Sequence, residues 1–170
     1  MARVVVTGGA GYIGSHAVRA LVDAGHAVAV LDDLSAGHAQ ALPPAVPLVR
    51  AAIHDRGAVH RLLVDHRADA VMHFAAWLAV GESVRKPVEY YQNNVTGTLT
   101  VLEAMRDAGV SRFIFSSTCA VYGEPETVPI VETLPKQPIN AYGETKLTIE
   151  RALPHLRSEE HTSELQSRLH

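Results

Sequence analysis

The segment Thr7-Gly8-Gly9-Ala10-Gly11-Tyr12-Ile13-Gly14 constrains this chain more than any other. It follows a β-branched run, Arg3 to Thr7, and opens Tyr12 to Ala24, where Ile13, Ala17, Ala20, Leu21 and Ala24 recur at helical spacing. Strand, glycine turn and helix in that order leave N–H groups and the positive end of a helix dipole where only backbone stands in the way. A pyrophosphate is held in such a place. Gly9, Gly11 and Gly14 satisfy G-x-G-x-x-G, and Gly8, Gly11 and Gly14 the wider G-x-x-G-x-x-G. Glycines alone also fit a turn without a ligand; the carboxylate that follows favours the ligand. Asp32, at the end of the second apolar run, is placed to accept hydrogen bonds from an adenosine ribose. That selects NAD, because a 2′-phosphate would meet Asp32 and Asp33 as like charges and no Arg or Lys follows before Arg50. Asp33 reads equally well as a cofactor contact and as a solvated cap.

The rest of the chain repeats the cycle. Gly25 closes the first helix, and Ala27 to Leu31 is a fully apolar strand. Val46 to Val49 is a short strand, Asp55 to His66 a helix, Ala70 to Phe74 a strand, Pro87 to Asp107 one long helix and Phe113 to Ser116 a further strand. Ala39 to Pro47, with three prolines, is a surface loop. Continuous apolar strands alternating with amphipathic helices are buried on both faces, which predicts an α/β doubly wound parallel sheet of the Rossmann type.

Composition removes other classes. The formal charge is −3 over 170 residues and the basic residues are scattered, so no stripe follows a nucleic-acid backbone. Cys119 is the only cysteine, which excludes an internal disulfide; its expected place is a small buried apolar site. The first residues are too short an apolar run for a signal peptide or membrane span, and the expected location is the cytoplasm. Of ten histidines, His54, His60 and His66 recur at steps that hold no helical face, and surface positions rather than a metal site are expected.

Tyr142 and Lys146 stand four apart in Asn140-Ala141-Tyr142-Gly143-Glu144-Thr145-Lys146, on one face of a helix. A phenol of ordinary pKa, about 10, is a poor base at neutrality, and a neighbouring ammonium and an oxidised nicotinamide both favour the phenolate. Tyr-x-x-x-Lys alone is more often a surface pairing. It gains meaning from the preceding Phe115-Ser116-Ser117-Thr118-Cys119, a hydroxyl-rich turn at the carboxyl end of a strand, where Thr118 can relay a proton or hold a sugar oxygen.

Together TGGAGYIGSH, LDDLSAG, HFAA, VGESVRKPVEYYQNNVTGTL, FIFSSTCAVYG and NAYGETK resemble the nucleotide-sugar 4-epimerase branch of the extended short-chain dehydrogenase/reductase family, in one register over residues 3 to 153. The resemblance implies NAD-dependent epimerisation at C4 of a UDP-hexose through a transient 4-keto sugar, in a protein that is a homodimer when full length. It implies that Gly8, Gly11, Tyr12, Ile13 and Gly14 border the pyrophosphate and that Asp32 and Asp33 hold the adenosine ribose. Ile53, Phe74, Ala75, Ala76 and Asn93 line the cofactor. Thr118 touches the substrate, Tyr142 is the base and Lys146 binds the nicotinamide ribose. Two departures bear on cofactor affinity: Ala52 precedes Ile53 where the family usually has an acid, and Trp77, Leu78 and Ala79 fill a stretch that commonly holds a lysine.

Apolar periodicity stops near Pro154, and Arg157 to His170 resembles the translation of a sequencing adapter. The expected organisation is therefore an incomplete NAD-binding domain over 1–156 followed by a non-native tail over 157–170. A fragment of this kind is expected to lack activity, since the sugar pocket would come largely from later residues. The rival readings are an epimerase for another sugar or a dehydratase of the same family, and a non-catalytic NAD-binding fragment.

Overall fold

The computed structural model describes the backbone of residues 1–167 and the side chains of residues 1–156. The predicted non-native tail over 157–170 therefore concerns side chains outside the described residues. Strands β1 (Arg3–Thr7), β2 (Ala27–Asp32), β3 (Leu48–Arg50), β4 (Ala70–His73) and β5 (Arg112–Phe115) form one sheet in the order β3-β2-β1-β4-β5. Every neighbouring pair is parallel, with Val5 opposite both Ala29 and Val71. The chain leaves β1 toward β2 on one side and returns through β4 on the other. The doubly wound expectation thus holds, and the reversal of strand order sits at the carboxyl ends of β1 and β4.

The helices are α1 (Tyr12–Asp23), α2 (Arg56–His66), α3 (Val80–Arg85), α4 (Pro87–Tyr90), α5 (Gly97–Asp107) and α6 (Ala141–Ser167). Alternate strand residues face two cores, as the pleat demands. Val5, Ala29, Leu31 and Val71 pack with Val59, Leu62 and Leu63 of α2 and Val101, Ala104 and Met105 of α5. Val4, Val6, Val28 and Val30 pack with Val18 of α1 and Leu42. Helix α2 starts where Asp55 accepts from the Ala58 N–H at 2.9 Å and stops at Arg67, in the left-handed region at φ 50°. Gly25, at φ 79°, follows α1 as expected.

The chain divides into two compact units, residues 1–77 with 92–116, and residues 78–91 with the chain from 117 on. The first contains the sheet, α1, α2 and α5. In the second, α6 packs on α3, on α4 and on a 3-10 turn over Cys119–Tyr122.

The helix expected over Pro87 to Asp107 is present without a gap but is not α-helical throughout: α4 ends at Tyr90, a π turn spans Tyr91–Thr96, and α5 begins at Gly97. A β-branched Val95-Thr96 pair and Gly97 weaken the i→i+4 ladder there, and Gly97 is pressed so close to Ile53 that an added Cβ would lie 2.5 Å from its Cδ1. Helix α3 was not anticipated. Cys119 is exposed, against the expectation of burial, because it opens the surface 3-10 turn rather than a core element. Among the described residues no cluster of metal-ligating side chains exists, and no helix is long and apolar enough to cross a membrane.

Candidate functional site

In the first unit the turn after β1 is shaped by contact with the turn after β4. Gly8 has φ +70°, and a Cβ there would lie 2.5 Å from the Ala75 nitrogen; a Cβ on Gly14 would lie 2.1 Å from the Gly8 oxygen. No side chain could be added at either position without moving backbone, so the loop presents peptide groups alone. Helix α1 begins at Gly11 with no side-chain cap and no acidic residue in its first turn. Tyr12 and Ile13 are exposed there, apolar side chains left in solvent at a helix start. An uncapped helix start behind a side-chain-free turn fits a dinucleotide pyrophosphate.

Asp32 is buried, and its carboxylate accepts the Ala10 N–H at 2.9 Å through one oxygen and the Leu34 N–H at 2.9 Å through the other. It therefore fixes the glycine loop to the end of β2 and shapes the turn that follows, where Leu34 adopts φ 62°, a left-handed conformation disfavoured for a leucine. Each carboxylate oxygen retains acceptor capacity for a ribose hydroxyl. Asp33 is exposed and accepts from the backbone N–H and hydroxyl of Ser35, at 2.8 and 2.6 Å. Its observed contacts are those of a turn cap.

The remaining residues of this unit divide. Phe74, Ala75 and Ala76 leave β4 half-buried, with the Phe74 and Ala75 N–H groups both donated to the Thr7 carbonyl at 2.9 and 3.1 Å. Asn93 lies in the π turn and donates to the Asn94 Oδ1 at 3.0 Å. The Ile53 side chain lies in the core with Val59 and Val101, so only its backbone is left to face a ligand.

In the second unit, Asn140 starts α6 by accepting the Gly143 N–H at 2.9 Å. Tyr142 and Lys146 follow one turn apart on that helix, Tyr142 half-buried and Lys146 buried. Burial pushes the Lys146 ammonium down to about 8, which leaves it mostly charged at neutrality. Gly143 lets the first turn of α6 reach the 3-10 turn, since a Cβ there would lie 2.7 Å from the Ala120 oxygen. Thr118 begins that 3-10 turn, its hydroxyl accepting the Ala120 N–H at 3.2 Å, and its O–H remains a donor.

The Ser117 hydroxyl donates to Glu150, whose other carboxylate oxygen accepts from Lys136. Burial alone would raise the Glu150 carboxyl, but the hydrogen bonds from Lys136 and Ser117 outweigh it and hold it below its ordinary value. Ser117 is thereby engaged, and of this pair Thr118 is the hydroxyl with a proton to offer. Tyr90 is fully buried, its hydroxyl 2.9 Å from the Ala79 carbonyl and 3.3 Å from Glu82. Burial and Glu82 raise it above the usual tyrosine value, with a smaller push from Tyr142.

Sequence reasoning passed over Asn94, His73, Tyr90 and Glu150. Three carry signals in hindsight: Asn94 is the last of three adjacent amides in a predicted helix, His73 interrupts an apolar strand, and Glu150 stands four residues beyond Lys146 on one helix face.

Comparison with known proteins gives a consistent result. The NAD dependent epimerase/dehydratase family matches residues 4–166. A UDP-glucose 4-epimerase of Azospirillum brasilense is 55% identical over 151 residues, covering 89% of this chain and 43% of that protein. One of Lactobacillus helveticus is 52% identical, covering 89% and 46%. Among solved structures, a UDP-glucose 4-epimerase from Stenotrophomonas maltophila with bound NAD and formylated UDP-arabinopyranose superposes with a TM-score of 0.90 at 40% identity, over 94% of this chain and 50% of that one. The Brucella ovis enzyme in complex with NAD gives 0.88 at 43%, over 91% and 47%. The chain thus spans about half the length of the relatives it matches.

Proposed function

Because the chain belongs to the NAD dependent epimerase/dehydratase family, we propose that it is the NAD-binding part of an enzyme that interconverts UDP-hexoses at C4, UDP-glucose and UDP-galactose first among them. The observation that carries the reading is the pair Tyr142 and Lys146, one turn apart on α6 with the lysine buried yet mostly charged at neutrality.

Gly8, Gly11, Tyr12, Ile13 and Gly14 hold the pyrophosphate, Asp32 and the neighbouring Asp33 the adenosine ribose. The Ile53 backbone, Phe74, Ala75, Ala76 and Asn93 line the cofactor, and Lys146 binds the nicotinamide ribose. Bound there, NAD supplies a hydride acceptor that becomes the donor in the second half of the cycle, so it is regenerated. Tyr142 takes the proton from the sugar O4 as a 4-keto sugar forms and returns it after the sugar turns over. The Lys146 ammonium favours the phenolate, and Thr118 donates its O–H to the same sugar oxygen. The same resemblance supports a cytoplasmic enzyme of galactose metabolism that pairs with a second copy when full length.

The 170-residue chain alone is expected to be inactive. Orientation at the reacting centre supplies roughly 7 to 11 kcal/mol of such a barrier, and remote binding of the nucleotide enforces it. The likeness to a UDP-N-acetylglucosamine 4-epimerase of Methanobrevibacter ruminantium, 35% identical, supports a larger sugar as the alternative substrate. The test is conversion of UDP-galactose by the chain alone and by the chain joined to the missing half of a relative. Turnover only in the second supports the reading. Steady turnover by the chain alone would overturn the division of labour, and none in either would overturn the assignment.

A further inference from the structure

Five hydrogen-bonded positions of the first unit close a ring around the turn after β4. Its centre is His73, fully buried, with Nδ1 2.7 Å from the Thr7 hydroxyl and Nε2 2.9 Å from the Thr98 hydroxyl. Thr98 spends its own proton on the Asn94 carbonyl at 2.6 Å, so toward His73 it can only accept. The ring nitrogen facing it must then carry the proton. Its neighbours thus assign a proton to Nε2 of His73.

Asn94 continues the ring. It is buried, and its side-chain amide pairs with Trp77 as a second strand would, accepting the Trp77 N–H at 2.8 Å and donating to the Trp77 carbonyl at 3.0 Å. Its Oδ1 also accepts from Asn93. The π turn matters here, because the extra residue in that turn changes the direction in which Asn93 and Asn94 leave the helix. The segment 74–77 is therefore clamped at its start by the Thr7 carbonyl and at its end by the Asn94 amide.

Strand order says which part of a dinucleotide such a clamp serves. With the ribose at the end of β2 and the pyrophosphate over the turn after β1, the other nucleotide extends toward β4 and β5, over residues 74–77. We infer that Asn94, supported by His73 and Thr98, is a positioning residue that sets the backbone of 74–77 for the nicotinamide half of NAD and contributes little to the adenosine half. The inference rests on the functional reading above.

The experiment compares affinities of the 170-residue chain for NAD and for ADP-ribose, which lacks the nicotinamide, by calorimetry. Asn94→Ala should weaken NAD roughly tenfold and leave ADP-ribose within about twofold. Thr98→Val, nearly isosteric and able to fold should Asn94→Ala fail, should weaken NAD selectively as well, and Thr98→Ser should restore it. A ring-nitrogen NMR spectrum should show His73 protonated at Nε2. Equal losses for both ligands, unchanged NAD affinity, or the other tautomer would each overturn the inference while the functional reading stood. An unsubstituted chain that binds ADP-ribose and NAD not at all would overturn the functional reading, and this inference with it.

Discussion

The turn after β1 and the first turns of α6 hold polar chemistry by opposite means. At the turn, peptide groups do the work, and the side chains that matter most are the ones Gly8 and Gly14 lack. The carboxylate of Asp32 is partly engaged by the backbone it organises. On α6, chemistry rests on side chains held in demanding surroundings: a buried ammonium at Lys146, and a Glu150 carboxylate shared between Ser117 and Lys136. A backbone site tolerates nothing added, whereas a side-chain site tolerates nothing removed. Substitutions should therefore fail in different ways at the two places.

The sharpest break should come at the turn. Gly14→Ala drives a Cβ into the Gly8 oxygen, and the expected cost is about 3–5 kcal/mol, seen as a lowered unfolding midpoint together with loss of measurable NAD binding. Normal NAD affinity in that variant would show that the turn does not depend on bare backbone. At α6 the reverse pattern is expected. Tyr142→Phe, in the chain joined to the C-terminal half of a relative, should keep NAD bound while turnover falls by about two orders of magnitude or more. Near-normal turnover would remove Tyr142 from the reaction.

Asp32→Arg probes the one carboxylate that belongs to the turn. Loss of its backbone contacts should cost about 1–3 kcal/mol of stability and weaken NAD while narrowing the gap to NADP. Paired titrations with the two cofactors check this, and unchanged affinities would reassign the ribose contact.

Near neutrality the smallest effect belongs to pH. Burial holds the folded Lys146 at about 8, against 10.5 for the free side chain. Between those values the unfolded chain binds more protons, so this contribution to stability rises with pH from about 8 to about 10.5 and is flat below. Unfolding free energies from denaturant titrations, without NAD, should show the parent chain gaining up to about 3 kcal/mol on Lys146→Met across that window. Parallel profiles would show that burial of this ammonium costs nothing.

The sequence was most readable where local rules suffice. Strands β1 and β2 and helices α1 and α2 follow from apolar runs bounded by glycine, Asp55 and turn residues, and Asp32 and the glycines could be named from their place between elements. Tyr142 and Lys146 could be paired by helical spacing. What escaped was whatever a distant neighbour decides. Asn94 is one amide of three until Trp77 is beside it, and Glu150 is a surface acid of a helix until Ser117 and Lys136 meet it. The π turn over 91–96 escaped for a related reason, since helical periodicity continues on both sides of it.

That π turn makes residue count a structural property. One residue of an α-helix turns the chain by about 100°, so a wheel drawn with a single phase from Pro87 to Asp107 points everything beyond Thr96 the wrong way. Removing one residue between Tyr91 and Thr96 would regularise the helix and rotate Asn93 and Asn94 away from Trp77 without altering either amide. The number of residues from Pro87 to Gly97 is therefore as much a part of the structure as their identities.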